Sequence, residues 1–144
     1  MRIVGLDIGE RRIGVAISDS SRTLARPVGV LTRSASDADA LRLVANEIAR
    51  LAAEEDGVQS IVVGLPKRLD GTANDMTPRV QALAEQLRTA SGLPVVLQDE
   101  RLSSREAESR LAVREKDWRA RKKKLDAAAA AIILQDYLDS AGRT

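Results

Sequence analysis

Gly5-Leu6-Asp7-Ile8-Gly9, followed five residues later by Gly14-Val15-Ala16-Ile17-Ser18-Asp19, decides how this chain folds. Residues 2–8 are an apolar run with strand character that carries one carboxylate, Asp7, to its tip. Residues 12–18 form a second strand, in which Ile13, Val15 and Ile17 alternate with small or polar neighbours. Only Gly9, Glu10 and Arg11 separate the two, and glycine permits a tight turn, so the pair reads as a hairpin. A carboxylate in such a place is costly to bury without a partner. A divalent metal, or a phosphate with its metal, is the partner that fits, and this points to phosphate chemistry.

Outward from the hairpin, residues 23–31 read as a third strand, and Pro27 assigns it to a sheet edge. Ser36 or Asp37 then caps a helix with Leu41, Val44, Ala45, Ile48, Leu51 and Ala52 at helical spacing. The run at 59–64 is typical of a buried parallel strand, broken by Leu65-Pro66, and Asp70-Gly71 marks a turn. A helix with Val80, Leu83, Ala84 and Leu87 closes near Gly92, and Pro94 to Leu97 opens a fifth strand that ends at Asp99-Glu100. Ser103 with Glu106 can form a capping box on a further helix. The segment 112–124 has weak periodicity, and the last helix is expected from about Leu125 to Leu138, where Ala127 to Ala131 give high helix propensity. Antiparallel strands first and βαβ crossovers later imply an α/β fold, a five-stranded mixed sheet flanked by helices. With no repeat or interdomain linker, residues 1–144 are expected to form a single domain.

The composition removes whole classes of function. There is no Phe, one Trp (Trp118) and one Tyr (Tyr137), too few aromatic faces for a base-stacking platform. Without Cys there is no disulfide, thiolate zinc site or thiol nucleophile, and the compartment is left undecided on that count. Without His the commonest general base is gone, so hydrolysis must rest on carboxylates, Lys, Tyr or a metal. The N-terminus lacks a charged-then-apolar-then-small pattern, and no apolar run approaches the ~18 residues of a membrane span. A cytoplasmic protein with no membrane partner is the expectation. The net charge of +2 conceals an asymmetry, because residues 101–124 hold ten basic and four acidic side chains. That stretch ends in Arg119, Arg121, Lys122, Lys123 and Lys124, and such a focus of charge suits a polyanion or, more simply, a solvated surface.

Three acids stand at element ends. Asp7 ends the first strand, Glu100 ends the fifth, and Asp126 is expected in the first turn of the last helix, where the helix dipole favours an anion. Ligands of α/β sheets gather beyond the carboxyl ends of parallel strands, so Asp7 and Glu100 are expected to face one crevice. Hard oxygen donors without thiolate or imidazole suit Mg²⁺ or Mn²⁺. Two such ions, roughly 4 Å apart, can activate a water and stabilise the leaving oxygen of a phosphodiester. Taken singly, each acid also has a plainer reading: a turn residue, a partner for Arg101, or a first-turn anion.

Asp7-Ile8-Gly9 with Gly14-Val15-Ala16, then Val62-Val63-Gly64-Leu65-Pro66, Asp70-Gly71-Thr72, Asp99-Glu100-Arg101-Leu102-Ser103-Ser104 and Asp126 to Leu138 occur in that order. From Met1 to about Leu138 the chain resembles the bacterial YqgF/RuvX family. The resemblance implies a ribonuclease H-like fold and a metal-dependent nuclease with Asp7, Glu100 and Asp126 as its acidic triad. Family members are described as nucleases for the 5′ end of pre-16S rRNA, and some as Holliday-junction resolvases. Two departures stand out: Ser103-Ser104 replaces the threonines frequent in the family, and the strand at 59–64 supplies no acid, the next being Asp70.

Supporting groups follow from position. Gly64 and Pro66 shape the crevice floor or only end a strand. Lys67, Arg68 and Thr72 contact phosphates or sit in a solvated turn, and Arg101 pairs with the scissile phosphate or orients Glu100. The run from Arg119 to Lys124 is read as a clamp on the nucleic-acid backbone. Precursor rRNA or branched DNA is the expected partner, and cutting a junction symmetrically would call for a homodimer. Two other readings compete. A sugar-kinase-like ATPase needs two related domains, and a non-catalytic nucleic-acid-binding module on the same fold would not need the acids to hold metal.

Overall fold

The computed structural model describes residues 1–34, 36–68, 70–99 and 118–141, with the backbone alone for 118–126 and 141. Strands β1 (Arg2–Ile8) and β2 (Arg12–Ser18) form the expected hairpin, paired antiparallel from Val4↔Ile17 to Ile8↔Ile13. The turn closes where the Gly9 amide donates to the Arg12 carbonyl at 2.9 Å. A Cβ on Gly9 would lie 2.8 Å from that carbonyl oxygen, so the turn needs glycine for space.

Strand β3 (Ala25–Thr32) pairs with β2 and lies at the sheet edge, as Pro27 required. Its pairing steps from Val15↔Gly29 to Ala16↔Pro27, which leaves Val28 as the extra residue of a bulge. The strand begins at Ala25 rather than residue 23, because the Asp19 carboxylate accepts the amides of Thr23 (2.7 Å) and Leu24 (3.2 Å) and holds them in a loop.

Helix α1 (Asp37–Ala52) is capped by Ser36, whose hydroxyl accepts the Asp39 amide at 3.3 Å. Strand β4 (Val58–Leu65) follows, then α2 (Met76–Ser91), β5 (Val95–Asp99) and α3 (Trp118–Ala141). Asn74 serves the start of α2, its side-chain oxygen accepting the amides of Met76 (2.9 Å) and Thr77 (3.0 Å). Gly92, at φ 70°, closes α2 in the left-handed conformation that glycine adopts without strain.

The sheet order is β3-β2-β1-β4-β5, with β1–β4 and β4–β5 parallel and the first three strands antiparallel. Two apolar layers sandwich it. Leu6, Ile8, Ile13, Val15, Ile61 and Val63 pack against Val44, Ile48, Val80 and Leu83 of α1 and α2. On the other face Ile3, Ala16 and Val62 pack against Ala130, Ile133, Leu134 and Leu138 of α3.

One boundary differs in a way that matters for the site. Helix α3 starts at Trp118, about two turns before the expected Leu125. Asp126 therefore stands inside the helix, beyond the first turn, and the dipole argument for its charge does not hold. The basic run Arg119–Lys124 belongs to the same helix, because Arg and Lys have good helix propensity and need no apolar periodicity to join it. The capping box at Ser103 and Glu106 lies outside the described residues.

Candidate active site

Side chains alternate across a strand, so Asp7 projects from the same face as Ile3 and Gly5, toward α3. Its antiparallel partner is Gly14. On its other side, one step beyond the Leu6↔Val63 pair, stands Gly64, which is itself paired with Gln98. The row Gly14, Asp7, Gly64, Gln98 thus crosses four strands with one carboxylate between two residues that have no side chain. Asp7 is half-buried there, at the carboxyl end of β1.

Helix α3 crosses this face closely. A Cβ on Gly5 would lie 2.7 Å from Leu134 Cβ and 3.1 Å from the Ala130 carbonyl oxygen. The side chain of Gln135 accepts the Ala25 amide at 2.9 Å and donates to the Thr23 carbonyl at 2.9 Å. Ala25 pairs with Ser18, whose hydroxyl accepts the Ile3 amide at 2.8 Å, so Gln135 lies toward the amino end of β1. The helix consequently runs against β1, and residues before Ala130 lie toward Asp7. Asp126 is one turn before Ala130, at the Asp7 end of the helix backbone. Small residues permit this approach: Ala127, Ala129 and Ala130 are buried.

The turn after Asp7 is bound into its surroundings by arginines. Arg33, whose side chain is 1% exposed, donates to the Gly9 carbonyl at 3.2 Å and to Asp37 at 2.8 Å. Its backbone amide donates to the Arg11 carbonyl at 3.0 Å. Arg79 of α2 donates to the same Asp37 oxygen at 2.8 Å and stands 3.8 Å from Glu10. The hydrogen bond from Arg79, then that from Arg33, holds the Asp37 carboxyl down at about 2. Asp37 in turn raises the Arg79 guanidinium above its ordinary value.

The other expected site residues divide. Lys67 lies 3.8 Å from the Asp99 carboxylate and bridges to Ala73 across a small loop. The Arg68 amide donates to the Thr72 carbonyl at 2.8 Å within that loop. The Thr72 hydroxyl and amide both donate to Asp70, at 2.7 and 2.9 Å, so this threonine and the next available acid serve the turn. Glu100 and Arg101 lie outside the described residues. Arg119, Arg121, Lys122, Lys123, Lys124 and Asp126 are placed by backbone alone on α3. Among the described residues no three potential metal donors gather.

Sequence reading missed Gly5 as the crossing point of α3 and missed the arginines behind the turn. The four-residue spacing of Arg33 and Asp37 at a helix start was an available signal. For Arg79, on a different helix, there was none.

Strand order and the mixed pairing define a ribonuclease H-like fold. The fowlpox virus Holliday junction resolvase superposes with a TM-score of 0.58, at 15% identity over 98% of this chain and 99% of that one. Thermus thermophilus RuvC in complex with Holliday junction substrate gives 0.55, at 15% identity over 99% and 96%. At the sequence level, residues 1–140 match the family model RuvX, Holliday junction resolvase. A protein of Desulforudis audaxviator, provisionally named pre-16S rRNA nuclease, is 40% identical over 140 residues, 97% of this chain and 95% of its own. The chain belongs to the RuvX family of nucleases.

Nucleases of this fold generally use divalent metal. The described part of the site fits such an ion in its donor chemistry: Asp7 offers hard oxygen and stands between two glycines.

Proposed function

We propose that this protein is a Mg²⁺- or Mn²⁺-dependent nuclease that processes the 5′ end of pre-16S rRNA in the cytoplasm. The observation that carries the reading is the half-buried Asp7 between Gly14 and Gly64, on the sheet face that α3 covers. In this reading Asp7, Glu100 and Asp126 hold the metal. Bound there, divalent ions would supply an activated water and neutralise charge at the scissile phosphate. The part of the chain itself is to aim carboxylates and hold the backbone. Lys67, Arg68, Arg101 and, on α3, Arg119, Lys122 and Lys123 contact phosphates, so binding is strong in charge and poor in base preference. The identity to a relative named for pre-16S rRNA, with nearly full coverage of both chains, favours that substrate. The family model favours a second reading, resolution of four-way DNA junctions by a dimer.

A matched cleavage panel tests both: 16S precursor leader RNA, a four-way DNA junction, and single strands of each, with Mg²⁺, Mn²⁺ or EDTA. Wild type should cut the leader RNA only with metal. Asp7→Asn should lose more than roughly 100-fold, since even residues behind metal ligands cost 10–100-fold when removed. Preference for the junction would move the assignment to resolution. Binding without cutting in both proteins would leave a non-catalytic binding module.

A further inference from the structure

The ladder that holds Asp7 ends one residue later, at Ile8↔Ile13. Beyond it the chain enters the Gly9–Arg11 turn, which is anchored from outside its own strands by the segment leading into α1 and by α2. The Arg33 amide holds the Arg11 carbonyl, the Arg33 guanidinium holds the Gly9 carbonyl, and Arg79 approaches Glu10. Both guanidiniums converge on one carboxylate oxygen, Oδ1 of Asp37 at the start of α1, each at 2.8 Å. Arg33 also donates to the carbonyls of Ser34 (3.0 Å) and Ser36 (3.2 Å). A buried lysine could not serve these directions at once, because only the guanidinium offers a rigid planar fork of five donors. We propose that Arg33, Asp37 and Arg79 are positioning residues: they clamp the Gly9–Arg11 turn and so set where the Asp7 carboxylate stands when it receives a metal ion. The proposal rests on the metal-site reading above. It makes the α1–α2 side of the sheet answerable for geometry on the α3 side, through one turn.

The alternative is that the network stabilises the fold and nothing more. Mn²⁺ titrated calorimetrically into the full chain separates the two, with wild type beside Arg79→Gln, Arg33→Lys and Arg50→Gln. Arg50→Gln is the control, since it removes an exposed ion pair with Glu47 on α1 far along the helix from the turn. Melting temperature and exchange of the Gly9 amide are measured on the same samples, well below each melting point. The expected result is a roughly tenfold loss of Mn²⁺ affinity in Arg79→Gln, the low end for residues behind a metal ligand, and faster Gly9 exchange. Arg33→Lys should do the same although it keeps the charge, and Arg50→Gln should do neither. Wild-type affinity in Arg79→Gln and Arg33→Lys, even with lowered melting points, would overturn the clamp and leave the metal site standing. No Mn²⁺ binding by wild type would overturn the metal reading and the clamp with it. Should Arg33→Lys fail to fold, the part-exposed Arg79 decides the matter alone.

Discussion

A methyl group at position 5 would collide with the last helix, meeting Leu134 Cβ at 2.7 Å and the Ala130 carbonyl at 3.1 Å. Neither neighbour yields easily, because a Cβ and a backbone oxygen move only with the helix itself. Gly5→Ala should therefore cost about 1–3 kcal/mol, the range for overpacking a filled core. Thermal unfolding checks this, and an unchanged melting temperature would show that α3 sits less tightly than described. Asp37 gives the second residue-scale prediction. Its carboxyl lies at about 2 in the fold, against an ordinary value of 3.8, mainly through Arg79 and then Arg33. A depressed acid contributes stability that is full above its unfolded value and is lost as pH falls through its folded one. The stability gap between wild type and Asp37→Asn should thus hold from neutral pH to about 4 and close toward pH 2. Denaturant melts across that range would refute the assignment if the gap were independent of pH. Because Asp37 is half exposed, solvent screening keeps the gap modest.

At the scale of elements, the parts with local causes were legible in the sequence. Alternation across Ile13, Val15 and Ile17 marked β2, Pro27 marked the edge, and Ser36 announced α1, each through chemistry that acts within a few residues. Asp7 was legible for the same reason, as a charge at the end of an apolar strand. What was not legible depended on partners far away in sequence. The described part of α3 before the alanines is a run of charges without apolar rhythm, so the alanines looked like the beginning when they are the part that packs. The α3 contact at Gly5 spans about 130 residues, and nothing near Gly5 signals it. Likewise the capping of Asp37 by two arginines needs α1 and α2 side by side, and no pattern within either helix states that. Thr72 shows the converse. A hydroxyl beside basic residues read as a phosphate contact, yet it donates to Asp70 two residues before it.

For the whole molecule, the decisive property is where its positive charge sits relative to Asp7. Residues 101–124 hold ten basic and four acidic side chains, more than the whole net charge of +2, and α3 makes the last part of this segment helical and runs it in toward the Asp7 end of β1. Helical geometry divides the cations. Lys123, Lys122 and Arg119 precede Asp126 by three, four and seven residues and share its stripe, whereas Arg121 and Lys124 fall on other sides. A nucleic acid lying across the carboxyl end of the sheet should meet the first set and not the second. Two double variants with equal charge loss test this: Lys122→Gln with Lys123→Gln, and Arg121→Gln with Lys124→Gln. Each phosphate contact contributes about 0.7–0.9 to the slope of log affinity against log salt, so the first double should flatten that slope by roughly 1.4–1.8. The second should leave it almost unchanged, although net charge drops equally in both. Cleavage at fixed low salt should follow the same order. Equal slopes in the two doubles would mean that the segment acts as a diffuse cation, drawing substrate in without gripping it beside Asp7.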